Sequence, residues 1–407
     1  MAQGIERLIS KWLEQGMIDQ ILADKMLMDI TEDKKERSSN KLIVVLSTLG
    51  SLLLGIGAFL FMASNWMTLS SLAKVFLLIG GTAGSYYAGY VLKYEKANYP
   101  RVGNSLLFLG SLLFGASVFL IAQIYHVNAN SHLLVLVWLA GIIPLVYAFS
   151  NGAIAGLAAV LFYLWIGLFV FRGISFNSAA NNFIALPALF LVSGNLLFQI
   201  GNTHYFKGAL QKIARIYRLI SLKVMMAGLF FLSFKTFSGH HDYYYNVSKS
   251  FAHVTGQFNA SFIIFVILAL ILTVINLAFN PTRSKSNIME DSISLGLLGF
   301  TALFFYFPSV TNIYTVLFNL ILAGLIIILL MFGYQREDMK IVNIGMSYLG
   351  LFILVRYFDF FWELLPRSLF FLVGGFILIV GGIALEKKRK ELKIEFSQVK
   401  TGGNHHE

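Results

Sequence analysis

The sequence predicts an all-α, polytopic integral membrane protein of about twelve transmembrane helices, and three observations predict it. Long apolar stretches recur along nearly the whole 407-residue chain. Charged residues make up only 13% of it, against roughly a quarter in soluble domains. The Lys and Arg residues fall almost entirely on one side of those stretches.

Each stretch is long enough to cross roughly 30 Å of hydrocarbon as a helix. Backbone groups in lipid must be satisfied within their own segment, so helices are required. A β-barrel would alternate polar and apolar residues in strands of about ten, and these runs are continuous. The polar first 40 residues and the long first apolar run do not fit a cleavable signal peptide. Cysteine is absent, which excludes disulfides, thiol catalysis and Cys-ligated metals.

The chain opens with a segment, 1–40, that reads as a cytoplasmic helical hairpin and linker. Ile5, Leu8, Ile9, Trp12 and Leu13 stripe one helix face; Gly16 ends it; Ile18, Ile21, Leu22, Met26 and Ile30 stripe a second. The hairpin packs on itself or on the membrane, or docks a protein partner. "TEDKKERSSN" follows as a solvated linker.

The transmembrane domain, 41–385, reads as spans near 42–63, 72–93, 103–125, 132–149, 153–171, 183–201, 213–237, 260–279, 291–307, 313–333, 339–357 and 367–385. A basic cytoplasmic tail, 386–407, completes the chain. With the N-terminus inside, only Lys74, Arg172, Lys235, Lys249, Arg356 and Arg367 of the 31 Lys and Arg residues lie outside. The bias sets both termini in the cytoplasm. The net charge of +11 then reports topology and contact with membrane lipids, not nucleic acid. The least anchored pair is 132–149 with 153–171, joined by the tight turn "SNG" without an inner charge.

Residues 49–60 and 109–120 are similar: Leu49, Gly50, Ser51, Leu52, Leu53, Gly55, Phe59 and Leu60 recur sixty positions on. Membrane helices need small residues to pack, and Ser51 with Gly55, like Ser111 with Gly115, forms a small-xxx-small seam. The alternative is a duplicated two-helix unit in parallel orientation. Both copies end in polar and aromatic residues at the outer surface: Asn65 and Trp66 in one, Gln123, Tyr125 and His126 in the other.

Trp12, Gly16 and Ile18 of the hairpin, "ASNW" after the first span, "AQIYH" after the third and "RYFDFFWELLPRSLFFLVGGFILIVGGIALEKKRK" near the end carry a resemblance. The chain resembles a bacterial family of predicted polytopic membrane proteins known as a domain of unknown function. The resemblance covers the N-terminal segment, the first four spans and the last two. It implies an integral protein of the bacterial cytoplasmic membrane and no activity.

The sharpest chemical constellation is Arg356, Asp359, Glu363 and Arg367, whose spacing sets all four on one helical face at the outer ends of the last two spans. They form a surface ion-pair ladder, or a site where Arg captures carboxylate or phosphate. Together with Asn65, Trp66, Gln123, Tyr125 and His126 they would wall one outer-leaflet site, because spans one, three and eleven all finish outward. His240, His241, Asp242 and His253 share an outer loop; they read as a plain exposed loop, since recognised metal-ligand spacing is absent, with a metal site as the alternative because His and Asp are suitable ligands, and no cofactor is called for. Glu290 and Asp291 read as an N-terminal cap and dipole partner of span nine. Asn195, Gln199, Asn276 and Asn319 read as interhelical hydrogen-bonding groups. With no acidic residue placed near a midplane, a proton-driven carrier is disfavoured. Nucleotide-binding and HExxH patterns are missing, so an enzyme is the less favoured class.

Two function classes stand nearly level. One is transport or handling of a small anionic or lipid-like solute through an outward-facing polar site. The other is a non-enzymatic sensor or scaffold using the cytoplasmic hairpin. A lipid-linked sugar transferase ranks last, because the first outer loop, "MTLSSL", offers neither carboxylate nor His.

Overall fold

The computed structural model describes residues 70–126, 132–205, 207–238, 254–279, 285–307, 312–361 and 367–402, with 45–57 and isolated positions at 12, 19, 22, 23, 25, 26, 43, 60 and 64. Among the described residues all regular structure is helical. Among the described residues twelve helices, eleven long and one shorter, overlap the twelve expected spans. They are α1 (Val45–Gly57), α2 (Ser71–Tyr90), α3 (Pro100–Ile124), α4 (His132–Phe149), α5 (Gly152–Val170), α6 (Phe176–His204), α7 (Gln211–Leu232), α8 (Gly256–Phe279), α9 (Lys285–Tyr306), α10 (Ile313–Gln335), α11 (Met339–Phe361) and α12 (Arg367–Gly402). Nine of them, α2–α6 and α8–α11, are long and apolar enough to cross a membrane among the described residues. The chain is therefore an all-α polytopic membrane protein. α7 differs because Lys212, Arg215, Arg218 and Lys223 lie within it.

Local chemistry sets the helix starts. The Ser70 hydroxyl accepts from the Ala73 amide to cap α2. Pro100 opens α3, where a missing N–H costs nothing. The Asn151 side chain accepts from Ala153 N at 2.9 Å to open α5.

The "SNG" turn lacks a charge of its own, and the fold supplies one from a neighbour. Beyond α2 the chain makes a short π-helical turn, Val91–Glu95. From it Lys93 Nζ and Tyr94 OH both donate to the Phe149 carbonyl, at 2.6 and 2.9 Å. Two donors thus satisfy a carbonyl at the end of α4, where the helix itself provides none. Asn151 Nδ2 donates to the Asn104 carbonyl of α3, tying the turn down further.

The chain divides into two compact units, Ser51–Leu325 and a second made of Met1–Gly50 with Ile326–Glu407. In the first, α6 and α7 pack antiparallel at very close range. A Cβ on Gly228 would lie 2.8 Å from the Pro187 carbonyl oxygen; one on Gly201 would lie 2.8 Å from Arg218 Cγ, and one on Gly194 2.7 Å from Met225 Cγ. Glycine is what permits that approach. α8 and α9 lie against α6, and α2–α5 pack alongside. At one end of α6, Asn182 Nδ2 donates to Val170 O at 2.6 Å and to Thr255 Oγ1 at 3.0 Å, joining the end of α5 to the start of α8.

The two similar stretches use their small-residue seams against different neighbours. Gly55 of α1 faces Leu109 and Leu112 of α3, whereas Gly115 of α3 faces the indole of Trp138 on α4. Ser51 donates to the Ser105 carbonyl, while Ser111 receives the Tyr86 hydroxyl.

In the second unit, α12 runs antiparallel along α11. Gly374 meets Tyr357 and Gly350 meets Leu385, and Leu392 packs with Val342, Leu330, Met339 and Met346. The basic residues expected as a tail after 385 therefore continue α12 without a break as far as residue 402.

Candidate functional site

The helices carrying the expected polar ends place some of them in view. α3 ends at Ile124, with His126 in the left-handed region at φ 57° and its amide donating to the Gln123 carbonyl. That turn leaves Gln123, Tyr125 and His126 exposed together at the helix end. Asn65 and Trp66, expected beside them, lie outside the described residues, as do Glu363, the side chain of Arg367 and the histidine loop at 240–253. Nearly all of the N-terminal hairpin lies outside them too.

A groove of about 590 Å³ opens immediately below this polar end, between α2, α3 and α4. Ile79, Thr82, Tyr86, Phe114, Ile121 and Val137 are among its walls. The few polar atoms there satisfy one another: Thr82 Oγ1 and Ser117 Oγ are 3.3 Å apart, and the Tyr86 hydroxyl donates to Ser111. What faces the groove is therefore almost wholly carbon. Its volume sits within the roughly 300–1,000 Å³ usual for small-molecule sites.

Arg356 and Asp359 pair on α11 as the three-residue spacing predicts, Arg356 Nη1 donating to Asp359 Oδ2. The guanidinium also lies over the Phe352 ring, 5.7 Å from its centre. These two residues belong to the unit containing Ile326–Glu407, and Gln123, Tyr125 and His126 belong to the other.

A second polar assembly, at the end of the bundle where α6 and α8 finish, was not legible as a unit from sequence. Asn195 Nδ2 donates to the Ser294 carbonyl at 2.9 Å, and Ser294 Oγ donates back to Asn195 Oδ1 at 3.0 Å. Gln199 Nε2 donates to Ser294 Oγ at 2.8 Å. Asn276 Nδ2 donates to Gln199 Oε1 at 2.7 Å, and Thr203 donates to Asn276 Oδ1 at 3.0 Å. Asn202 Nδ2 donates to Asp291 Oδ1 at 3.0 Å. Beside them Arg218 of α7 pairs with Glu290 at 2.7 Å and stacks near Phe198 and Tyr205. Asn195, Gln199 and Asn276 thus bridge helices as their residue types suggest.

Glu290 and Asp291 are a correction. They do not cap span nine, because α9 begins at Lys285 and both residues lie more than a turn inside it. Asp291 is 2% exposed. It lies inside the stretch Asn287–Tyr306, one of those long and apolar enough to cross a membrane. The sequence sets Asp291 at the solvated edge of span nine, and its burial inside α9 is what that reading misses. The signal available in sequence was the four-residue polar rhythm of Asn195, Gln199 and Thr203 with Asn202 beside them, all on α6.

Among the described residues no group of three or more His, Cys, Asp or Glu could hold a metal ion. No curated protein and no solved structure matches the chain. The last two spans fall outside the stretch that a family model does match: residues 10–155, the N-terminal segment and α1–α4, match the family described as "Predicted membrane protein (DUF2157)", a membrane protein family of unknown function.

Proposed function

We propose that the chain handles a lipid-like amphiphile, holding its hydrocarbon part in the groove between α2, α3 and α4 and its polar part at Gln123, Tyr125 and His126. The observation that carries this reading is the junction itself. A nearly all-carbon groove ends beside three exposed hydrogen-bonding side chains on one helix terminus. A surface meant only to contact bulk lipid needs no such recess, and the Gln and His types are not required for interfacial anchoring, which Trp and Tyr provide. By the charge asymmetry the site faces the outer leaflet of a bacterial inner membrane. In the other unit, Arg356 oriented by Asp359 is proposed separately to receive an anionic group, since a guanidinium suits carboxylate or phosphate.

The test uses full-length protein in vesicles containing a phospholipid with a photoreactive acyl chain. Crosslinks should concentrate on peptides of α2–α4 over the lipid-facing surface of α8 around Ile267 and Ile271. Ala83→Phe, which fills the groove, should remove that excess, and Gln123→Ala should weaken it. Equal crosslinking across the apolar surface, unchanged by Ala83→Phe, refutes the reading.

A further inference from the structure

The assembly between α6, α7, α8 and α9 carries an inference separate from the lipid groove. We propose that Asp291 is a proton-binding site within the membrane, reached from the face where α6 and α8 end and closed toward the other.

Exposure falls along the seam from that face inward. The side chains of Arg218 and Glu290 are 13% and 11% exposed; Asn202 is 8%, Asp291 2% and Gln199 0% exposed. Past Asn195 and Ser294 the helices turn apolar, with Leu297, Leu298 and Ala269 buried, and about three turns farther along α9 stacked rings follow. Phe262 and Phe305 lie 4.0 Å apart at their centres, with Phe258 on the same stack. The seam is thus a polar half-passage ending in an apolar stretch. Ionisable side chains at such depth face the bundle interior or water and mark functional sites by default.

The neighbours suit a group that changes charge. Arg218 of α7 directs its hydrogen bond to Glu290, the carboxylate adjacent to Asp291 in sequence. α6 presents the amides of Gln199 and Asn202, with His204 one turn nearer the face and engaged with Tyr147. α8 presents Asn276, which is uncharged. A carboxamide carries both donor and acceptor, so Asn202 can donate to the carboxylate and, turned over, accept from the carboxylic acid. The step is simple: the Asp291 carboxylate takes a proton from hydronium, giving the acid and releasing water.

Dicyclohexylcarbodiimide, which partitions into apolar surroundings and adds to protonated carboxyls, tests the proposal on the full chain in vesicles. Peptide mass spectrometry should find Asp291 modified, rising by about tenfold per pH unit as pH falls on the alkaline side of its titration. A water-soluble carbodiimide should modify exposed Glu386 and spare Asp291. Infrared difference spectra on acidification should show a carboxylic C=O band lost in Asp291→Asn and kept in Asp291→Glu. Should the asparagine variant not fold, the wild-type labelling still decides. Absence of Asp291 modification at every pH, or equal modification by both reagents, overturns the proposal.

Discussion

Replacing Gly228 with alanine places a methyl carbon 2.8 Å from the Pro187 carbonyl oxygen, 3.2 Å from Leu191 N and 3.3 Å from Leu191 Cβ. The first two contacts are with backbone, so no rotamer change relieves them. Restoring ordinary contact at 3.4 Å or more requires α6 and α7 to part by roughly half an ångström. A gap of that size forfeits a quarter or more of each dispersion contact along the interface, and overpacking of this kind costs about 1–3 kcal/mol. Alanine's better helix propensity returns at most about 1 kcal/mol. Gly299 on α9 supplies the control: a Cβ there meets nothing within 4 Å, so Gly299→Ala keeps only the gain. The two substitutions, identical in chemistry, should therefore differ by about 2 kcal/mol, Gly228→Ala being the less stable. The measurement is reversible unfolding in mixed micelles titrated with a denaturing detergent, followed by circular dichroism. A difference below about 0.5 kcal/mol would show that the helix pair relaxes freely, and the close-packing account would fall.

Asn276→Ala should destabilise by about 1–2 kcal/mol in the same assay, since it removes two interhelical bonds to Gln199 and one from Thr203; a neutral result would sever the seam from stability. Removing either partner of the Arg218–Glu290 pair should cost about 3 kcal/mol, and removing both together should cost less than the sum; additive losses in a double-mutant cycle would show the pair is not coupled. Cysteines introduced singly at Ser131, Ser248 and Ser286 test the proposed orientation in a chain without native cysteine. An impermeant reagent should label the first two in intact cells and not the third; labelling at Ser286 alone reverses the topology.

The helical architecture was legible because hydrophobic length is a sum over twenty residues, so no single misreading displaces a span. Boundaries are a different quantity. Span nine reads from 291 because Glu290 and Asp291 look like its solvated edge, yet α9 starts at Lys285. Moving the start by six residues carries Asp291 from a helix end to a buried position more than a turn inside α9. Burial of a carboxylate depends on partners from other helices, here Asn202, and no local pattern encodes them. The same holds for Lys93, which charges the "SNG" turn from 56 residues away. The three-residue pairing of Arg356 with Asp359 was legible, because it lies within one helix.

The unbroken course of α12 changes what its basic end is for. At 36 residues the helix is about 54 Å long, well beyond a bilayer's hydrocarbon thickness. Leu392 lies seven residues past Leu385, where the apolar stretch ends, and still finds apolar cover on Val342 and Met339. The segment works as a splint laid across the α10–α11 hairpin. Its exposed side carries Lys388 paired with Glu391 and Lys390 with Glu386, a pattern that reinforces the helix where no lipid supports it. A truncation at Leu385 would leave the hydrophobic stretch whole and yet strip this brace.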